Sequence, residues 1–359
     1  MGIVSAKHLP AQALTLAAGL AGGGVLAWLG VPAGWLSGAM IGVGALAAAG
    51  RAAPLALPLR DLAILLSGLA LGSSVNPAAL AALGRYPLSL SIMAVALVGM
   101  TSASYAVLRR AKGFSRQTAL FSAVPGALSY VFIMASQGSA DPARVAIIQI
   151  FRIFVLMALV PIVAAHSAPA AAQLYRLDPV WITFALLAVA FGVGKLLEKA
   201  GLGASTLYGA ILVSALAHGL GLAPGRFAPW LQTIAQTLVG AWIGTRLIGF
   251  DWRLMRRLLL AAATSFAAAF AVAAACAGIV SLLIKAPFAE ALVAFAPGGL
   301  EAMTMMAFAL GLDPLFVGSH HLARFLMISL GLPVVMRWLG ASRRLDAAAA
   351  QRNDAEGMS

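Results

Sequence analysis

Two arginines sit where a chain this apolar can least accommodate them. Arg152 and Arg324 each lie about ten residues into a long hydrophobic run. Three residues before them stand Gln149 and His321, on the same helical face as the arginine they precede. An arginine at the centre of a bilayer costs about 2.5–3.5 kcal/mol on insertion scales, so it faces the protein interior and finds partners there. Two readings are open. The guanidiniums could satisfy carbonyls freed by nearby helix breaks, or they could form a pair of cationic groups beside a substrate. Five donors per arginine allow both.

The breaks are Val124-Pro125-Gly126 and Ala296-Pro297-Gly298-Gly299. Proline removes a helical hydrogen bond and glycine permits the turn, so each apolar segment divides into two short pieces. Such a segment either dips to the midplane and returns or crosses as a kinked span. A half-helix starting after Gly126 or Gly299 directs unpaired N–H groups and a positive dipole end at the break, an arrangement suited to an anion. Ser129 and Glu301 occupy equivalent places just past the breaks. Glu301 could cap its half-helix or pair with Arg324; alternatively it is a proton or cation coupling site. Asp141 and Asp313 each precede a proline that opens the next helix, the pattern of an N-cap.

Other polar residues carry less. His320 and His321 are adjacent and point in different directions on a helix, so no metal is expected. Gln232, Thr233, Gln236 and Thr237 form a polar stripe that lines a pathway or joins helices. A single cysteine, Cys276, excludes a disulfide framework. No Walker loop, dinucleotide fingerprint, Ser-His-Asp order or helical zinc motif occurs, so neither ATP-driven transport nor hydrolysis is supported and no cofactor is expected.

The elements that position these residues are membrane helices. Of 359 residues 62% are hydrophobic and only 10% charged, where a soluble chain carries about a quarter. Candidate spans run near 11–30, 33–50, 60–80, 86–108, 142–165, 178–199, 203–221, 230–249, 257–284 and 314–339, with the broken segments 115–138 and 286–311 left over. The first run follows Lys7 and His8 and is expected to be a retained span, not a signal peptide. The tail 341–359 is expected to be disordered and cytoplasmic. At a spacing of 172, Pro125-Gly126, Leu128, Met134, Asp141-Pro142, Arg152 and Pro161 recur as Pro297-Gly298, Leu300, Met306, Asp313-Pro314, Arg324 and Pro333. Gly68 and Gly72 recur as Gly240 and Gly244, a small-residue pattern of close helix packing. The chain therefore reads as an all-α polytopic membrane protein of two homologous halves, 1–168 and 169–340. If the broken segments return, each half has five spans and the halves are inverted, with both termini cytoplasmic. That arrangement leaves only Arg85, Arg176, Arg226 and Lys285 outside, and it explains the formal charge of +13 as a positive-inside bias. If all twelve segments span, Arg253, Arg256 and Arg257 fall on the wrong side.

These motifs resemble the bacterial membrane AbrB family, also labelled the membrane AbrB duplication or ammonia monooxygenase family. The resemblance rests on Val124-Pro125-Gly126-Ala127-Leu128 with Asp141 and Gln149-x-x-Arg152, and on Ala296-Pro297-Gly298-Gly299-Leu300-Glu301-Ala302-Met303 with Asp313 and His321-x-x-Arg324. It covers about 11–340. The first copy departs from the second, with Ala127 for the second glycine and Ser129-Tyr130 for Glu301-Ala302. The resemblance implies an integral inner-membrane protein, and its labels imply gene regulation or ammonia oxidation. Five scattered histidines do not make an oxygenase centre, and no extramembrane stretch is long enough for a DNA-binding module. The residues themselves point to a secondary transporter for a small anionic metabolite, bound between the breaks by Arg152, Arg324, Gly126, Gly298, Gly299, Glu301, Ser129, Gln149 and His321. The alternative is a non-transporting membrane regulator. The expected partners are the lipid bilayer and a small-molecule substrate, with a homodimer open and nucleic acid excluded.

Overall fold

The computed structural model describes residues 9–74, 86–126, 128–136, 138–165, 177–201, 205–223, 225 and 228–356. Among them there is no β-strand, and the chain is an all-helical polytopic membrane protein. In order the helices are α1 (Leu9–Trp28), α2 (Gly34–Ala48), α3 (Leu57–Gly72), α4 (Tyr86–Arg110), α5 (Arg116–Ala123), α6 (Leu128–Ser136) and α7 (Pro142–Ala165). They continue as α8 (Val180–Lys199), α9 (Ser205–Gly219), α10 (Pro229–Gly244), α11 (Trp252–Ile284), α12 (Phe288–Phe295), α13 (Leu300–Ala309) and α14 (Pro314–Glu356). A 3-10 turn, Thr245–Leu247, follows α10.

Among the described residues six helices are long and apolar enough to cross a membrane: α1, α4, α7, α8, α11 and α14. The other four expected spans are shorter than their apolar stretches. Helices α2 and α9 have 15 residues and α3 and α10 have 16, or about 23 Å at 1.5 Å per residue, against about 30 Å of hydrocarbon. They bury much of their surface against protein. Helix α2 packs on α10 and α3 on α9, so each short helix pairs with one from the other half of the chain. Glycine permits the approach. A Cβ on Gly240 would stand 3.0 Å from Ala39 Cβ, and one on Gly244 2.8 Å from Met40 O. On the other pair, Gly68 meets Ala210 and Leu207 O at 2.6 and 2.9 Å, and Gly72 meets Ser214 Cβ and Ile211 O at 2.5 and 2.6 Å. Ser214 Oγ adds a hydrogen bond across α9 and α3, to Leu69 O at 2.7 Å.

Helix α11 starts earlier than expected, taking Arg253, Arg256 and Arg257 into its first turns behind the N-cap Asp251, which accepts from Arg253 N and Leu254 N at 2.9 Å. Helix α14 continues through Glu356, across the segment expected to be disordered. Its alanine run, Ala347–Ala350, has high intrinsic helix propensity and needs no packing partner to favour that state.

Each broken segment folds back as a helical hairpin. In the first, Asp141 N, beyond the end of α6, donates to Thr118 Oγ1 in the first turn of α5 at 3.0 Å. Gln117 Oε1 accepts from Ser139 N and Ser139 Oγ at 2.8 and 2.6 Å. In the second, Asp313 N donates to Glu290 Oε2 at 3.1 Å. A kinked full span would hold these ends about 30 Å apart. Here they touch.

Candidate functional site

The site is built where the two breaks meet. Val124 and Ala296 leave their helices in extended conformation, with ψ 122 and 135, so carbonyls at the ends of α5 and α12 lose their helical partners. In both halves side chains at equivalent positions take over. Gln149 Nε2 donates to Phe121 O at 2.8 Å and Val124 O at 3.3 Å. Arg152 Nη2 donates to Val124 O at 3.1 Å and to Gln149 Oε1. On the other side His321 Nε2 bonds Val293 O at 2.9 Å, and Arg324 Nη1 donates to Ala296 O at 2.6 Å. Arg324 Nη2 reaches Gly298 O and lies 2.7 Å from His321 Nδ1. A carbonyl only accepts, so His321 Nε2 carries the proton and Nδ1 accepts from the arginine. That assigns a neutral imidazole from the network itself.

Both guanidiniums are buried. Much of their donor capacity thus goes to the breaks, the first of the two roles open from sequence. Something is left over: Arg152 Nε is buried with no hydrogen-bond partner. None of the four ion pairs among the described residues includes either of them.

The breaks also face each other, across a space the size of a methyl group. Gly126, at φ +94, adopts a conformation that side-chain-bearing residues rarely reach. A Cβ there would stand 3.5 Å from Arg324 Nε, Arg324 Nη2 and Gly298 O. Tyr130 Oη further joins the halves through Ser329 O at 3.2 Å. Gly298 has no room for a Cβ, which would meet the Met303 side chain at 2.7 Å. Pro125 and Pro297 are buried beside these glycines.

Asp141 and Asp313 close the hairpins as N-caps. Asp141 Oδ1 accepts from Ala143 N and Arg144 N at 3.0 and 3.2 Å, and Asp313 Oδ1 from Leu315 N and Phe316 N at 2.8 and 3.3 Å. His320 Nδ1 turns to Phe316 O at 2.7 Å, away from the partners of His321. In the polar stripe, Gln236 and Thr237 are buried and Thr233 bonds back to Pro229 O at 3.2 Å. Ser129 is the second residue of α6; its side chain lies outside the described residues.

Glu301 neither caps its half-helix nor pairs with Arg324. Its carboxylate forms no ion pair with Arg324 and no hydrogen bond that caps α13, whose N-cap is Gly299 in extended conformation. Arg246, in the 3-10 turn after α10, buries its Nε without a hydrogen-bond partner. Sequence reasoning missed it, because it reads as one more cytoplasmic arginine at the end of an apolar stretch.

With this geometry in hand, comparison with known proteins is informative. The family model described as "Transition state regulatory protein AbrB" matches residues 35–340. The chain is 26% identical to the protein of Bacillus subtilis (strain 168) named "Uncharacterized protein YhjN", over 90% of this chain and 92% of that one. It is 25% identical to the Escherichia coli (strain K12) protein named "Putative regulator AbrB", over 71% of this chain and 75% of the relative. Neither name states an enzymatic activity.

Proposed function

This chain belongs to the AbrB family, and we propose that it is a secondary transporter or permease for a small anionic metabolite, held near the midplane where the two breaks meet. The observation that carries this reading is the seat of Gly126 against Arg324 and Gly298. Two half-membrane hairpins abut there, with two buried guanidiniums and no acid paired to them among the described residues. Half-helix N-termini and fixed cations favour negative charge at such a point.

The same reading gives the architecture a purpose. Because each hairpin returns to its starting side, five crossings remain per half, and an odd number inverts the second half relative to the first. Short α2, α3, α9 and α10 cross where the surrounding protein and a locally thinned bilayer allow it. The basic clusters Arg109–Arg116 and Arg253–Arg257 then share the cytoplasmic face of the inner membrane with both termini. Alternating access would be a rocking of one half against the other about the shared site.

The name of the E. coli relative favours a second reading, a membrane regulator without transport. Binding separates the two. The purified protein is screened by thermal shift against organic acids, alongside Arg324→Gln. Stabilisation by a subset of acids that the variant loses supports transport. No stabilisation of the wild-type chain by any acid overturns it.

A further inference from the structure

Helices α4 and α11 pack against each other in opposite directions. Toward one end Leu108 shares a buried cluster with Leu258 and Ala262, and farther along a Cβ on Gly99 would stand 3.0 Å from Val272 Cγ1. The last turn of α4 and the first turn of α11 therefore lie side by side. Arg109, Arg110, Lys112, Arg253, Arg256 and Arg257 surround that end, and all of them are exposed. The connection after α4 is tied to the same place. Phe114 is buried in the cluster with Leu108 and Leu258, Arg109 Nη1 donates to Phe114 O at 2.7 Å, and Arg144 Nη1 donates to Lys112 O at 3.2 Å.

Like charges gathered around one apolar cluster repel unless anions lie between them. The acids at this end are already engaged. Asp251 caps α11, and Asp141 caps α7 and pairs with Arg144 at 2.9 Å. None of the cations named above joins an ion pair among the described residues. The opposite ends of the two helices are bordered in sequence by one cation each, Arg85 and Lys285. Next to the cations the surface turns apolar. Leu259 and Leu260 follow Arg256 by three and four residues, on its face of α11, and are 49% and 76% exposed. Trp252, 41% exposed, opens the helix, and tryptophan is a residue that gathers at headgroup level.

A surface that is cationic at its edge and apolar one turn farther on matches an amphiphile with an anionic head. A soluble anion would use the arginines and leave the leucines bare. We propose that this end of α4 and α11 is a docking site for an anionic phospholipid. Its phosphate takes bidentate contacts from Arg253 and Arg256. The cations of α4 and of the connection after it add attraction, and the acyl chains run over Leu259 and Leu260. The opposite end lacks the charge, so the lipid is recognised in one leaflet only. The site does not depend on whether the chain transports.

The test is native mass spectrometry of the purified full chain in detergent, titrated with phosphatidylglycerol or with phosphatidylcholine of the same acyl chains. The wild type should bind phosphatidylglycerol about tenfold or more tighter. Arg253→Gln with Arg256→Gln should remove most of that preference. Arg51→Gln with Lys199→Gln, which takes two exposed cations from elsewhere, should leave it within about twofold. Leu259→Ser with Leu260→Ser should weaken phosphatidylglycerol too; melting curves confirm that each variant folds. Equal binding of the two lipids overturns the site. Equal weakening by the two charge variants overturns it as well, since net charge alone would then account for the affinity. Binding indifferent to the leucines, or lost to excess inorganic phosphate, makes the ligand a soluble anion and overturns the lipid.

Discussion

Gln149 and His321, 172 residues apart in sequence, make the same pair of hydrogen bonds: each donates to a carbonyl 28 residues earlier in the chain and accepts from its own arginine. An amide and a neutral imidazole are different groups with one donor and one acceptor in common. That shared capacity, more than shape, is what the position requires.

His321→Gln should therefore preserve both bonds and melt close to wild type. His321→Leu strands the Val293 carbonyl and removes an acceptor from Arg324, at a cost of about 1–3 kcal/mol. Thermal denaturation in detergent reads the difference; equal melting of the two variants would show that the network contributes nothing.

Arg324 spreads its Nη1 and Nη2 over three acceptors, Ala296 O, Gly298 O and His321 Nδ1. A lysine offers a single point charge and cannot span both break carbonyls. Arg324→Lys should lower the melting temperature more than Arg152→Lys, whose parent holds one carbonyl and one amide oxygen.

Hairpins make a topological prediction. In a Cys276→Ala background, Gln117→Cys and Ser139→Cys should react with a membrane-impermeant thiol reagent from one side. Lys285→Cys and Gly311→Cys should react together from the opposite side. Labelling of 117 and 139 from different sides would remove the hairpin.

Close packing at the crossed short helices is tested by adding one carbon. Gly72→Ala places a Cβ 2.6 Å from Ile211 O, an overpacking worth about 1–3 kcal/mol. Gly331→Ala, in α14 with nothing within 4 Å, should be neutral or mildly stabilising. Paired melting curves of the two variants check this.

Lys285 has φ +56 at the end of α11, the place that Gly113, at φ +82, holds after α4. A left-handed lysine carries strain that glycine does not, so Lys285→Gly should stabilise the protein by about 1 kcal/mol. A melting temperature unchanged or lowered counts against the strain.

Much of the site was legible in sequence because its parts leave compositional marks. A Pro-Gly pair inside an apolar run, an arginine ten residues into a span and an Asp-Pro before the next helix are each conspicuous, and their recurrence at 172 tied them together. That the broken segments return was favoured in sequence only by where the arginine clusters fall. It depends on Thr118 meeting Asp141 and Glu290 meeting Asp313, contacts that no periodicity encodes. Helix length was misjudged for α2, α3, α9 and α10, since hydropathy measures how far apolar residues run and not where a helix ends. The same error hid Arg246. Its apolar stretch runs on to 249, but the helix stops at Gly244 and the arginine falls in the 3-10 turn that follows.

Gly126 rests on a guanidinium that belongs to α14, and that guanidinium grips the Ala296 and Gly298 carbonyls of the other break. One side chain thus answers to both breaks. Taking it away would release the Ala296 and Gly298 carbonyls and widen the space beside Gly126 in a single step.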